Sequence, residues 1–158
     1  GQRVAIVDVD VHHGNGTQGI FYRRRDVLHV SLHADPSWFY PYFWGYAHER
    51  GAGDGVGYNL YLPLALGTDD DSYAVALEDA KSAIRRFAPD TLVVALGLDG
   101  FEGDPLKGMR ISMSGFERIG ASVGALALPT VLVQEGGYPC PELSDNLEAF
   151  LNGFDAGS

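Results

Sequence analysis

Two carboxylates and an imidazole alternate with valines in Asp8-Val9-Asp10-Val11-His12, directly after the apolar run Val4-Ala5-Ile6-Val7 and directly before His13-Gly14-Asn15-Gly16. In an extended chain successive side chains point to opposite faces, so Asp8, Asp10 and His12 share one side and the valines the other. Oxygen and nitrogen donors converging where a buried strand runs out suit a zinc-like cation. Without a cation, two carboxylates there would repel each other and suffer desolvation. Asp10 and His12 are the first two candidate ligands and Asp99 is the third. Alone, Leu98-Asp99-Gly100 reads as a turn; beside a strand end that already offers two ligands, Asp99 reads as a ligand. A catalytic zinc keeps three protein ligands and an open position for a water whose pKa it lowers to about 7.

The neighbouring residues suit supporting parts. Asp8 lies one step deeper on the same side, where a carboxylate orients an imidazole or holds a harder cation. His13 falls on the opposite parity and reads as a turn residue or a support behind the ligands. Asn15 is either a hydrogen-bonding support or a loop asparagine between two glycines. Tyr138 follows Gly136 and Gly137, which let the backbone pass close to a ligand. A phenol held there could donate to a carbonyl and to the oxyanion it becomes, although Gly-Gly-Tyr by itself is also a common turn.

These residues need a frame. Apolar runs rich in β-formers recur over Val4–Val9, Val27–Leu32, Thr91–Leu96 and Thr130–Val133, with a weaker run over Tyr58–Leu62. Between them lie helical patterns. Thr68-x-x-Asp71 opens one carrying Tyr73, Ala76, Leu77, Ala80, Ile84 and Phe87, closed by Pro89. Ser114-Gly115-Phe116-Glu117 opens a second through Ile119 and Val123, and Leu143, Leu147, Phe150, Leu151 and Phe154 mark a third. Strands alternating with helices predict an α/β fold: a mainly parallel sheet flanked by helices in three layers. Ligands of such sheets sit beyond the carboxyl ends of the strands. Asp8–His12, Ser31–His33, Asp99 and Gly136–Tyr138 all fall at those ends. The strand at the very start of the chain is expected either to be an edge strand or to have lost neighbours upstream.

The segment Ala34–Gly57 has no periodicity but holds Trp38, Phe39, Tyr40, Tyr42, Phe43, Trp44 and Tyr46. Its aromatic density argues against disorder and suits the wall of an apolar slot, a protein interface, or a loop folded onto the core. At 158 residues the chain is one domain with a sizeable core. The formal net charge of −10 argues against nucleic-acid binding; it is compatible with a cationic substrate, but most acidic surfaces serve only solubility. One cysteine, Cys140, excludes an internal disulfide and fits a reducing compartment. No apolar run of membrane-spanning length and no signal-peptide pattern occurs, so no membrane association and a cytoplasmic location are expected.

Asp8-Val-Asp10-Val-His12-His13-Gly14-Asn15-Gly16-Thr17, Ser31-Leu32-His33, Leu98-Asp99 with Gly103-Asp104-Pro105, and Glu135-Gly136-Gly137-Tyr138 together resemble the signature segments of the zinc-dependent histone deacetylase superfamily, whose fold is arginase/deacetylase-like. Asn15-Gly16-Thr17-Gln18, Phe43-Trp44-Gly45-Tyr46-Ala47 and Glu135-Gly136-Gly137-Tyr138-Pro139 resemble its bacterial acetylpolyamine amidohydrolase branch. The resemblance implies one catalytic zinc on Asp10, His12 and Asp99, and Tyr138 polarising the acetyl carbonyl. It implies that Asp8 and Asn15 support a pair of catalytic histidines. It further implies one or two structural potassium ions, the first held by Asp8 and Ser31 with backbone oxygens of Asp10, His12 and Leu32, the second by backbone oxygens near Phe21, Arg24 and Val27. Tyr40, Gly136 and Gly137 would line the substrate tunnel, and the full-length protein would be a homodimer whose loops narrow the entrance.

In the family the histidine pair precedes the Asp-x-Asp-x-His strand, and His29, His33 and His48 do not match it. Residues 1–158 are therefore expected to form the C-terminal part of one deacetylase domain, a partial fold with the catalytic pair outside it. The leading reading is a zinc-dependent deacetylase acting on acetylated small cationic amines or on acetyl-lysine. The alternative is a catalytically incompetent metal-binding fragment of such an enzyme. A two-metal ureohydrolase would require Asp-x-His-x-Asp clusters, an order this chain does not show.

Overall fold

The computed structural model describes residues 1–158. Five strands form one parallel sheet: β1 Val4–Asp8, β2 Val27–Ala34, β3 Asn59–Leu64, β4 Thr91–Leu96 and β5 Thr130–Gln134, in the order β3-β2-β1-β4-β5. Helices α1 Asn15–Phe21, α2 Asp70–Phe87, α3 Met113–Gly124 and α4 Leu143–Gly157 alternate with the strands, and a 3₁₀ turn covers Gly53–Gly55. β1 is the central strand, so the edge-strand alternative is corrected: β2 and β4 pair with it on either side. That centrality fits its run of β-branched and apolar residues.

The register separates two faces. Val7, Val30 and Val94 stand in one row and Ala5, Leu28 and Leu92 in the next, all buried. This face packs on Tyr73, Leu77, Ala80 and Ile84 of α2 and on Phe116, Ile119 and Val123 of α3 to form the core. The opposite face carries Asp8, Ser31 and Tyr61 in one row and His29 and Asn59 in the next, all buried. Helix α1 lies over it through Gln18, which reaches His13. Toward β5 that face opens, leaving Val131 and Val133 exposed.

Two helix starts differ from expectation. The N-cap of α2 is Asp69, accepting from Ser72 N–H, one residue past Thr68, whose hydroxyl donates to the Ala65 carbonyl. The N-cap of α3 is Ser112, two residues ahead of Ser114; its Oγ accepts from Gly115 N–H and donates to Asp70. Pro89 follows the end of α2 as expected, with Ala88 left-handed at φ 48° as its cap. Helix α4 crosses α3 on glycines: side chains at Gly120 and Gly124 would strike the carbonyls of Phe150 and Phe154, and at Gly153 and Gly157 those of Glu117 and Ala121.

Candidate metal centre

Ladder pairing ends at Asp8, but the alternation carries on, with Val9 and Val11 in the core and Asp10 and His12 turned to the rim. β4 runs out two residues before Leu98-Asp99, and β5 runs out into Glu135-Gly136-Gly137. These ends meet. Asp10, His12 and Asp99 offer one ligand atom each, all within 4.8 Å of one another. His12 Nδ1 is 2.9 Å from Asp10 Oδ1 and 3.1 Å from Asp99 Oδ2. Asp10 Oδ1 also accepts from His12 N–H at 2.8 Å, and Asp10 Oδ2 from Gly136 N–H at 2.8 Å. Asp99 Oδ1 accepts from Val11 N–H at 3.0 Å, which fixes the carboxylate to the strand end that holds the other two groups.

Asp99 Oδ2 is fully buried and has no hydrogen-bond donor: the His12 N–H is directed at the nearer Asp10 oxygen. A buried carboxylate oxygen left in this state is costly unless a cation meets it. Gly136 supplies the room. A side chain there would collide with the carboxylates of Asp99 and Asp10. The donor set of two carboxylates and one imidazole, the orphaned oxygen and the glycine-lined space fit a divalent zinc-like ion.

The electrostatics agree. Burial, then the charge of Asp10, pushes the Asp8 carboxyl well above the usual carboxylate range. Burial raises Asp99 likewise, with Asp10 adding to it. Burial also works to raise Asp10, but hydrogen bonds from His12 and Gly136 outweigh it and hold its carboxyl low. Burial opposes the charged form of His12, yet its hydrogen bond to Asp10 and the negative charge of the adjacent Asp99 prevail and lift its pKa to about 9.

The other expected site residues are distributed around this cluster. Asp8 is buried, accepts from Asp10 N–H at 3.1 Å, and lies against Gly14, where a side chain would strike its carboxylate. Ser31 and Leu32 are fully buried in β2, Ser31 in the same row as Asp8 and Leu32 one residue further along the strand. Asn15 is exposed on the first turn of α1. Gly137 takes φ +138°, a conformation that favours glycine, and turns the chain so that Tyr138 stands 40% exposed at the rim. Tyr138 N–H donates to Asp104 Oδ2 at 3.2 Å. Burial, then the negative charges of Asp99, Asp10 and Asp104, raises the Tyr138 phenol and keeps it a proton donor. The Tyr40 ring meets His12 edge-on at 5.8 Å, and Phe39 stacks on the same imidazole at 5.3 Å.

His13 keeps the opposite parity expected of a turn or supporting residue, whereas Gln18, Phe39 and Asp104 have no site role marked by their sequence positions. His13 faces away from the ligands into a buried polar cluster with Ser31, His33, Gln18 and Tyr61. Phe39, rather than Tyr40 alone, walls His12. Asp104, fully buried, holds the backbone of Tyr138. Its place in Gly103-Asp104-Pro105 was the available signal.

The histone deacetylase domain model matches residues 1–154. The chain belongs to the histone deacetylase family. It is 50% identical over 154 residues to the acetylpolyamine amidohydrolase of Burkholderia pseudomallei, covering 98% of this chain and 45% of that protein. It is 38% identical over 164 residues to histone deacetylase 8 of Arabidopsis thaliana, covering 96% of this chain and 42% of that one. A crystal structure of the Burkholderia pseudomallei acetylpolyamine aminohydrolase superposes with a TM-score of 0.96 at 49% identity, over 99% of this chain and 46% of that one. This family member thus spans less than half the length of those relatives. Its five-stranded parallel sheet with flanking helices is the corresponding part of the deacetylase fold. No helix is long and apolar enough to cross a membrane.

Proposed function

We propose that these residues are the metal-binding and tyrosine-bearing C-terminal part of a zinc-dependent deacetylase domain that hydrolyses acetyl amides of small cationic amines. The observation that carries the reading is the convergence of Asp10, His12 and Asp99 around an orphaned carboxylate oxygen at the carboxyl end of a parallel sheet. A zinc held by these three supplies a Lewis acid and a water acidified to about pKa 7. The chain's own residues do the rest. Asp10 and Asp99, tied to Gly136 and Val11 N–H, keep the ligand atoms aimed at one point. Tyr138, with its proton retained, donates to the acetyl carbonyl and to the charge that develops on that oxygen. Phe39 and Tyr40 form an aromatic wall beside His12 that suits the aliphatic stem of an acylated amine. Asp8, Ser31 and the backbone of Leu32 would hold a structural potassium ion beneath the ligands, where a raised carboxyl pKa reflects uncompensated burial. The second monovalent site would lie near Phe21, Arg24 and Val27. Identity to acetylpolyamine amidohydrolases and a net charge of −10 support acetylated polyamines over acetyl-lysine as substrate. The exposed aromatic loop supports a homodimer in the longer protein, and the acidic surface supports the absence of nucleic-acid partners.

One observation favours a second reading for the 158 residues in isolation. Burial holds His29 and His33 near a pKa of about 3, so neither takes up a proton at neutral pH. His48 stacks on Tyr46 at 5.6 Å, away from the ligands. With no histidine placed as general base, the isolated chain would bind metal without turnover. Acetyl-amide hydrolysis is to be compared, both with zinc, for residues 1–158 alone and for a longer polypeptide that adds the upstream histidine pair. Activity in the longer polypeptide only is expected. Equal activity in the short chain would place the base within it; inactivity of both toward acetylputrescine and acetyl-lysine would overturn the deacetylase reading.

A further inference from the structure

The aromatic loop is fastened at both ends to one dipeptide. At its start Phe39 and Tyr40 bracket the His12 imidazole. At its end Gly45 lies against His13 so closely that a side chain there would enter the ring; its φ of +91° is of the kind glycine tolerates. Glu49 makes that end fast. One of its oxygens, Oε2, accepts from Gly45 N–H at 2.7 Å and from Gln18 Nε2 at 3.0 Å. Gln18 Oε1 in turn meets His13 Nε2. From the other side Gly45 C=O accepts from His33 Nε2 at 2.9 Å, and His33 is joined to His13 through Ser31. A single carboxylate therefore ties three segments together: the aromatic loop, α1, and the turn that carries the candidate ligand His12. Hydrogen bonds to a charged acceptor are the stronger kind, and here both donors are neutral amides with the acceptor partly shielded from water.

We propose that Glu49 is a positioning residue that locks the aromatic loop, residues 35–49, onto the His12–His13 turn through Gln18 and His13. The lock fixes how far Phe39 and Tyr40 stand from His12 and hence the width of the slot beside the metal. Only its last link, to a metal on His12, rests on the function proposed above.

The test uses the 158-residue chain with Glu49→Ala, Glu49→Gln, Gln18→Ala and the Glu49→Ala/Gln18→Ala pair. Chymotrypsin cleavage within Trp38–Tyr46 is measured without metal. The visible spectrum and dissociation constant of bound Co²⁺ are then measured for each. Glu49→Ala should speed loop cleavage at least tenfold, shift the cobalt band and weaken cobalt binding severalfold. Glu49→Gln, which keeps one acceptor, should fall between it and the wild type. The double variant should be no worse than Glu49→Ala, since the two residues are links of one chain. Unchanged cleavage in Glu49→Ala, or a double variant whose effect is the product of the singles, would overturn the lock. A wild-type cobalt spectrum in a Glu49→Ala chain with a freed loop would overturn its reach to His12. A wild-type chain that binds no cobalt would overturn the metal reading instead, and the cleavage rates alone would then decide the lock.

Discussion

His12 Nδ1 stands between two carboxylates and can satisfy only one of them: its N–H is aimed at Asp10 Oδ1, 2.9 Å away, and Asp99 Oδ2 at 3.1 Å is left bare. Metal binding must take that proton away, because a ligating imidazole nitrogen is unprotonated. With a pKa of about 9 on His12, zinc affinity should therefore rise with pH between 6.5 and about 9. Each zinc bound at neutral pH should release close to one proton, as calorimetry in buffers of different ionisation enthalpy would show. Affinity that does not change over this range would contradict the arrangement.

The same group sets a stability trend in the metal-free chain. The folded His12 pKa lies above its ordinary 6.5, so the folded state holds the proton more tightly. The stabilisation is fully present below pH 6.5 and is lost as pH rises through about 9. Urea midpoints taken from pH 6 to 10 without metal should fall across that window. Saturating zinc should reverse the trend, because a bound metal replaces the proton.

Gly136 leaves the space between Asp10 and Asp99 open. Gly136→Ala puts a methyl group into that space and should cost zinc affinity roughly ten- to hundredfold, as losing a ligand's support commonly does. The melting temperature without metal should change little by comparison. Isothermal titration and differential scanning of the two proteins separate these effects.

Tyr138→Phe removes the donor proposed to meet the acetyl oxygen. In a longer polypeptide with the histidine pair, kcat should fall by roughly 10²–10³. Zinc stoichiometry should stay the same, since Tyr138 is not among the ligands.

Gly120 and Gly153 let α3 and α4 approach to backbone contact. Gly153→Ala would force a methyl group against the Glu117 carbonyl and should destabilise the chain by roughly 1–3 kcal/mol, as overpacking does. Chemical denaturation measures it directly. A neutral substitution would mean that the helices part without cost.

What the sequence made legible follows from what is local. The strands β1, β2, β4 and β5 show as apolar runs, and the ligand triad shows because donors of the right type fall at strand ends. Helix α1 left no trace: Gly14, Gly16 and Gly19 break any apolar period in Asn15–Phe21, and tertiary contacts through Gln18 hold it. The caps at Asp69 and Ser112 were displaced by one and two residues because several hydroxyls and carboxylates compete there, and only the fold decides which of them caps. The glycine contacts of α3 and α4 depend on crossing geometry that a single helix pattern does not contain. The Glu49–Gln18–His13 chain joins residues separated by up to 31 positions, and nothing in the spacing of a glutamate and a glutamine marks them as partners.

The most direct measurement is zinc stoichiometry on the purified 158-residue chain and on Asp99→Ala, by metal analysis after exhaustive dialysis. One zinc per wild-type chain and none retained by Asp99→Ala is the expected result. Full retention by Asp99→Ala, or no zinc on the wild type, would contradict the assignment of Asp10, His12 and Asp99 as the metal centre.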